Sequence, residues 1–155
     1  MKKSTLTLLL IFIISFSYSK DKDKVVLKND TVYVNKKPSF ILEVIDNGVD
    51  RLYYLKNLSG KKLVFFKSNY FYDPLNLNPN PYSPPNSNTF YLEVNFLESK
   101  QKTEINYYRA IVLAEYVVKS NLLSDSGEIT IESENEFILH NGNRYTDRKN
   151  ELNKK

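Results

Sequence analysis

The chain has 155 residues, 41% hydrophobic, 14% aromatic and 26% charged, with a formal net charge of +4, a single His and neither Cys nor Trp. That length suits one domain and excludes a large multidomain enzyme, while the apolar fraction is too high for a disordered chain and too low for a polytopic membrane protein. Without Cys there is no disulfide framework, thiolate metal site, cysteine nucleophile or lipid-modified N-terminal Cys, and His140 alone cannot serve a site that needs two imidazoles.

Residues 1–19 have the layout of a secretory signal peptide. Lys2 and Lys3 form a positive start, Leu6–Ile14 is an apolar run broken only by Thr7, and Ser17 and Ser19 supply small side chains for cleavage before Lys20. The apolar run is too short for a spanning helix, which needs about 20 residues. The expectation is export to the periplasm or beyond, not as a lipoprotein and with no membrane span once the leader is removed. Removal of Lys2 and Lys3 leaves 20 basic against 18 acidic side chains, a net charge of +2 that gives no argument for nucleic-acid binding.

Residues 20–24 form a charged spacer, and a single α+β domain is expected over 25–142. Val25–Lys28 and Thr31–Val34 are predicted strands around Asn29-Asp30, two residues that tolerate the positive φ of a tight hairpin. Phe40–Ile45 follows, ending at Asp46-Asn47-Gly48, the strongest hairpin signal. Arg51–Lys56 and Lys62–Lys67 flank a second turn at Leu58-Ser59-Gly60. Thr89–Phe96 alternates cleanly, with Phe90, Leu92, Val94 and Phe96 on one face and Tyr91, Glu93 and Asn95 on the other, which predicts a half-buried strand with one wet face. Strands this close in sequence predict an antiparallel meander of five or six.

Between the fifth and sixth strands, residues 68–88 hold five of the six prolines and six asparagines. This composition predicts an irregular loop, and loops of that length tend to be either functional or disordered. Further on, Asn106 is positioned to cap a helix over about Tyr107–Leu122, with Tyr107, Ala110, Ile111, Ala114, Val117 and Val118 on one apolar stripe. A shorter helix is predicted over Ile131–Asn141, with acidic residues near its start and Gly142 as its C-cap. Residues 143–155 are polar with a net charge of +3 and predict a frayed tail.

The catalytic constellations can be tested one by one. A Ser-His-Asp triad would have to use His140, which lies beside a helix C-cap where the dipole alone accounts for it. The chain has no G-x-S-x-G elbow, and its four glycines form no phosphate-cradling loop. Glu43 and Glu93, on separate strands, are the only pair suggested for glycoside hydrolysis, yet both occupy solvent-face positions. Asp125-Ser126-Gly127-Glu128 lacks the fixed ligand spacing of an EF-hand loop and suits a helix-to-helix turn. No catalytic, metal-binding or cofactor-binding residue emerges.

Two features exceed a plain structural role. The first is the aromatic set Tyr70, Phe71, Tyr72 and Tyr82 of the proline-rich segment, since rings with polar handles are favoured at interfaces. The second is the side of the first helix away from its stripe, where Tyr108, Val112 and Tyr116 recur at i, i+4, i+8. That side is a candidate binding surface: either the second helix and Phe137 cover it, which is the favoured expectation because a short helix must bury its own face, or a partner does.

The runs Val32–Phe40, Leu55–Phe66 and Phe137–Tyr145, together with an Asn- and Lys-heavy composition, resemble exported proteins of Bacteroidota. The resemblance implies export and brings no activity, cofactor or catalytic residue. In that group Asp-Ser or Asp-Thr before an apolar residue resembles an O-glycan acceptor, a pattern that Asp30-Thr31-Val32 matches within a predicted strand. The expected function is thus an exported, non-enzymatic binding or envelope-associated module whose partner is another envelope or secreted protein. The alternatives are a carboxylate-dependent hydrolase acting on carbohydrate or envelope material, and a structural accessory domain.

Overall fold

Each strand pairs antiparallel with the one before it in sequence. The computed structural model describes residues 23–46, 51–74, 88–107 and 109–154. Seven strands, β1 (Val25–Lys28), β2 (Thr31–Val34), β3 (Lys37–Asp46), β4 (Arg51–Lys56), β5 (Lys62–Tyr72), β6 (Asn88–Phe96) and β7 (Lys102–Ile105), lie in that order across one sheet. The leader, most of the spacer, the residues after Asp46 in the third hairpin and residues 75–87 lie outside the described part.

The first two hairpins turn on residue pairs in the left-handed region, Asn29 and Asp30 (φ 47° and 61°) and Asn35 and Lys36 (φ 52° and 70°). Such pairs match the right-handed twist of the flanking strands. The sheet exceeds the expected count because Lys102–Ile105 adds a seventh strand. It also corrects the expected loop: Ser68–Tyr72 continues β5, paired from Ser68↔Leu92 to Tyr72↔Asn88. Three of those five residues, Tyr70, Phe71 and Tyr72, are aromatics that favour a pleated strand over a turn.

Three helices follow: α1 (Ala110–Lys119), α2 (Ile131–Asn141) and α3 (Arg144–Leu152). Helix α1 is shorter than expected, with Arg109 rather than Asn106 at its N-cap, and it buries Leu113, Ala114 and Val117 while Ile111 stays exposed. Helix α2 has the predicted ends. Thr130 accepts a hydrogen bond from the Ser133 backbone N–H while the Ser133 hydroxyl accepts one from the Thr130 N–H, and Gly142 closes the helix at φ 64°. The expected frayed tail is helix α3 over most of its length.

Inward side chains of β2–β7, among them Phe40, Leu42, Tyr53, Leu55, Val64, Phe66, Leu92, Val94 and Ile105, form the core with Leu113, Ala114, Val117, Leu122 and Phe137 of the α1–α2 layer. Helix α3 lies on the opposite face. Tyr145 stacks on Tyr91 with centroids 5.0 Å apart, and Tyr91 alternates with the core residue Leu92. The chain changes faces at Gly142, whose carbonyl accepts from the Glu104 N–H (3.1 Å) and the Thr103 hydroxyl (2.8 Å), so the α2–α3 corner closes the β7 edge. Among the described residues, no helix is long and apolar enough to cross a membrane.

Candidate functional site

Strands β5 and β6 are the longest hairpin partners in the sheet, and their far ends run past the helix layer. Side chains that would be core residues elsewhere on this face are therefore uncovered there. Ser68, Tyr70 and Tyr72 stand opposite Leu92, Phe90 and Asn88. Tyr70, Tyr72 and Phe90 are 61%, 52% and 54% exposed, and the Tyr70 and Phe90 rings lie 5.8 Å apart at 41°. Phe90 has the expected parity but not the expected burial, because no helix among the described residues reaches it. The result is an aromatic platform on a regular sheet, with backbone groups held by the β5–β6 ladder.

The other residues singled out in the sequence go elsewhere. Phe71 has the opposite parity to Tyr70 and Tyr72, is buried, and meets Tyr91 edge-on at 6.2 Å, so it belongs to the α3 side of the sheet. Tyr82 and Tyr108 lie outside the described residues. Tyr116 packs between Tyr107 (4.3 Å) and Phe137 (5.5 Å), and its hydroxyl donates to Asn141 Oδ1 at 2.7 Å. Burial raises its pKa, opposed by that hydrogen bond. Tyr116 thus joins α1 to α2, and Val112, on the next turn towards the N-terminus, is half-buried. Thr31 is also half-buried, paired with both Lys28 and Ile41.

Glu43 and Glu93 do not form a pair. Strands β4 and β5 separate them, a spacing of about 14 Å at the usual inter-strand distance, whereas glycosidase carboxylates stand about 5–9.5 Å apart. Each has its own cation: Lys56 at 2.9 Å from Glu43, and Lys102 at 3.2 Å from Glu93. His140 is exposed in the last turn of α2. Residues 124–128 form the expected turn, in which the Ser124 hydroxyl accepts from the Glu128 N–H and donates to the Glu128 carbonyl. The Glu128 carboxylate accepts from Asn57 Nδ2 (2.8 Å) and Lys61 Nζ (3.3 Å), and these bonds hold its pKa below the ordinary range.

On the second face the composition gave no warning of a tethered helix. Glu104, buried in β7, accepts from the backbone N–H groups of Tyr145 (2.8 Å) and Thr146 (3.1 Å) and from the Thr146 hydroxyl, capping α3 from the sheet. Asn143, at the helix's own N-cap, makes no side-chain cap bond. Asp73, at the end of β5, takes two hydrogen bonds from Arg148.

Three clefts of about 480, 360 and 300 Å³ lie around the helix layer. The first runs between the Lys61–Lys62 end of β5 and the start of α2, the second between α1 and α2 beside His140, and the third beside the 124–127 turn. No group of three or more His, Cys, Asp or Glu side chains that could hold a metal occurs among the described residues. The aromatic platform is therefore the feature that packing leaves unexplained. Comparison with protein-family models, curated proteins and solved structures finds no match for the chain.

Proposed function

We propose that the chain is an exported, non-enzymatic binding module that contacts another envelope or secreted protein through Tyr70, Tyr72 and Phe90. The observation that carries this reading is their exposure on a face most of whose other aromatic and aliphatic side chains are buried. Tyr and Phe are enriched at protein interfaces, and clustered exposed rings mark contact sites more often than isolated ones do. A rigid ladder adds to this, because rings fixed before contact lose less entropy on binding.

The test is capture from envelope extracts with the wild-type chain and with the triple variant Tyr70→Ala, Tyr72→Ala, Phe90→Ala. A specific partner should be lost by the variant while the melting temperature stays within a few degrees, since exposed substitutions cost about 0.5 kcal/mol each. Undiminished capture by the variant would remove the platform from the contact.

A further inference from the structure

The two edges of the sheet are treated differently. At β7 the outward Glu104 N–H is taken by the Gly142 carbonyl. At β1 no element lies beyond the strand among the described residues. Lys28 and Thr31 close the two-residue Asn29-Asp30 turn and form a hydrogen-bonded pair, so Val26↔Tyr33 is the next bonded pair along. The Lys24–Asn35 step continues the alternation, with the Asn35 N–H donating to the Lys24 carbonyl at 3.0 Å. Val25 and Leu27 therefore direct their N–H and C=O groups away from β2, to the open side. Their side chains pack on the core, and α1 lies against the strand, which holds this edge rigid.

Charge determines what can pair there. Lys24, Val26 and Lys28 alternate onto the face away from the core, and all three are exposed. A second copy pairing antiparallel through Val25 and Leu27 would set Lys24 of one chain opposite Lys28 of the other, twice. Like charges directly opposite on neighbouring strands are destabilising. An incoming strand with acidic residues at those two positions would meet opposite charges instead. Residues facing Val25 and Leu27 would continue the apolar side of the sheet.

We infer that β1 is a strand-addition site for an extended acidic segment of another protein, of the pattern acidic–apolar–small–apolar–acidic. The segment pairs antiparallel with Val25 and Leu27, and Lys24 and Lys28 select it by charge while barring self-pairing. The site is separate from the aromatic platform, so either can fail without the other.

The experiment uses two synthetic peptides, one with a Glu-Val-Thr-Val-Glu core and one with Lys-Val-Thr-Val-Lys, and reads amide exchange by NMR together with the dissociation constant. The acidic peptide should slow exchange at the Val25 and Leu27 amides and leave Val26 and Lys28, already in the β1–β2 ladder, unchanged. Its affinity should weaken with added salt. The double variant Lys24→Glu, Lys28→Glu should reverse the preference between the peptides by about tenfold or more. Val25→Pro removes an outward donor without breaking a β1–β2 bond and should abolish the effect at an unchanged melting temperature. Equal protection by both peptides, no protection at millimolar acidic peptide, or self-association that protects the same two amides would each overturn the inference.

Discussion

Asp73 and Arg148 stand 75 positions apart in the chain and meet in a two-bond ion pair, Nε to Oδ2 at 2.8 Å and a terminal guanidinium nitrogen to Oδ1 at 3.0 Å. The pair ties the last helix to the root of the proline-rich segment. Asp73 is buried, and its hydrogen bonds raise the Arg148 pKa above its already high ordinary value, so the guanidinium is charged at every accessible pH. Arg148→Ala should therefore speed amide exchange across Arg144–Leu152 while the β3–β5 amides stay protected. Arg148→Lys should behave like Arg148→Ala, because an ammonium cannot present two parallel donors. Rescue by Lys would show that charge alone holds the helix.

Neighbouring positions of β5 separate contact from packing. Phe71 is buried and Tyr70 mostly exposed. Phe71→Ala should cost about 3 kcal/mol in a denaturant melt, and Tyr70→Ala no more than about 0.5 kcal/mol. Similar losses would mean that Tyr70 is covered in solution.

The same contrast tests the core of β6. Val94 is fully buried between Phe66 and Thr103, so Val94→Asp should cost about 4 kcal/mol by placing a carboxylate in an apolar layer. Glu93 pairs with the exposed Lys102, and Glu93→Ala should cost less than about 1 kcal/mol. Equal urea midpoints for the two variants would contradict the register.

Much of this fold was legible because local chemistry and tertiary position agree. Asn29-Asp30 demands a hairpin, and β1, β2, β4 and α2 fall at their predicted boundaries. The failures occur where a residue's partner is distant. Lys102–Ile105 has no alternation to reveal it: Thr103, Glu104 and Ile105 are all buried, Thr103 and Glu104 by partners near 142–146. Helix α3 buries no residue fully and carries no apolar stripe; Glu104, Asp73 and Tyr91 supply its ties from the sheet. Tyr91 is for the same reason buried where alternation predicts a wet face. The platform is half legible: the sequence marks Tyr70 and Tyr72 but as loop residues, and its alternation puts Phe90 in the core, because sequence does not show where a helix layer stops.

Alkaline pH should weaken the protein through Tyr91 and Tyr116. Burial, the larger cause in both, raises their pKa, and for Tyr91 the nearby Glu104 carboxylate adds to it. A phenol whose folded pKa lies above its unfolded value of about 10 binds more protons folded than unfolded. Its contribution is complete below about pH 10 and is lost as pH rises through the folded value. Tyr116→Phe should flatten part of that decline. At neutral pH it should cost about 1 kcal/mol for the lost bond to Asn141. An unchanged alkaline profile in the variant would remove Tyr116 as a cause.

The cap that Glu104 places on α3 gives the sharpest test of how the second face is built. An isolated nine-residue helix is too short to persist in water, so α3 depends on its tertiary ties. Glu104→Ala removes every acceptor from the Tyr145 and Thr146 N–H groups, and Asn143 offers no substitute. Losing an N-cap typically costs about 1 kcal/mol, and a donor left unpaired in a partly buried site raises this towards about 2 kcal/mol. Glu104→Gln keeps one acceptor oxygen and should lose about half as much. The loss should be local: amides of Arg144–Leu152 should exchange far faster, and Tyr91, no longer under Tyr145, should become reactive towards a tyrosine-nitrating reagent. The Tyr53, Leu55 and Val64 amides, in the centre of the sheet, should keep their protection. If Glu104→Ala instead lowers protection evenly through sheet and helix, α3 is part of the cooperative core and not a strap fastened to it.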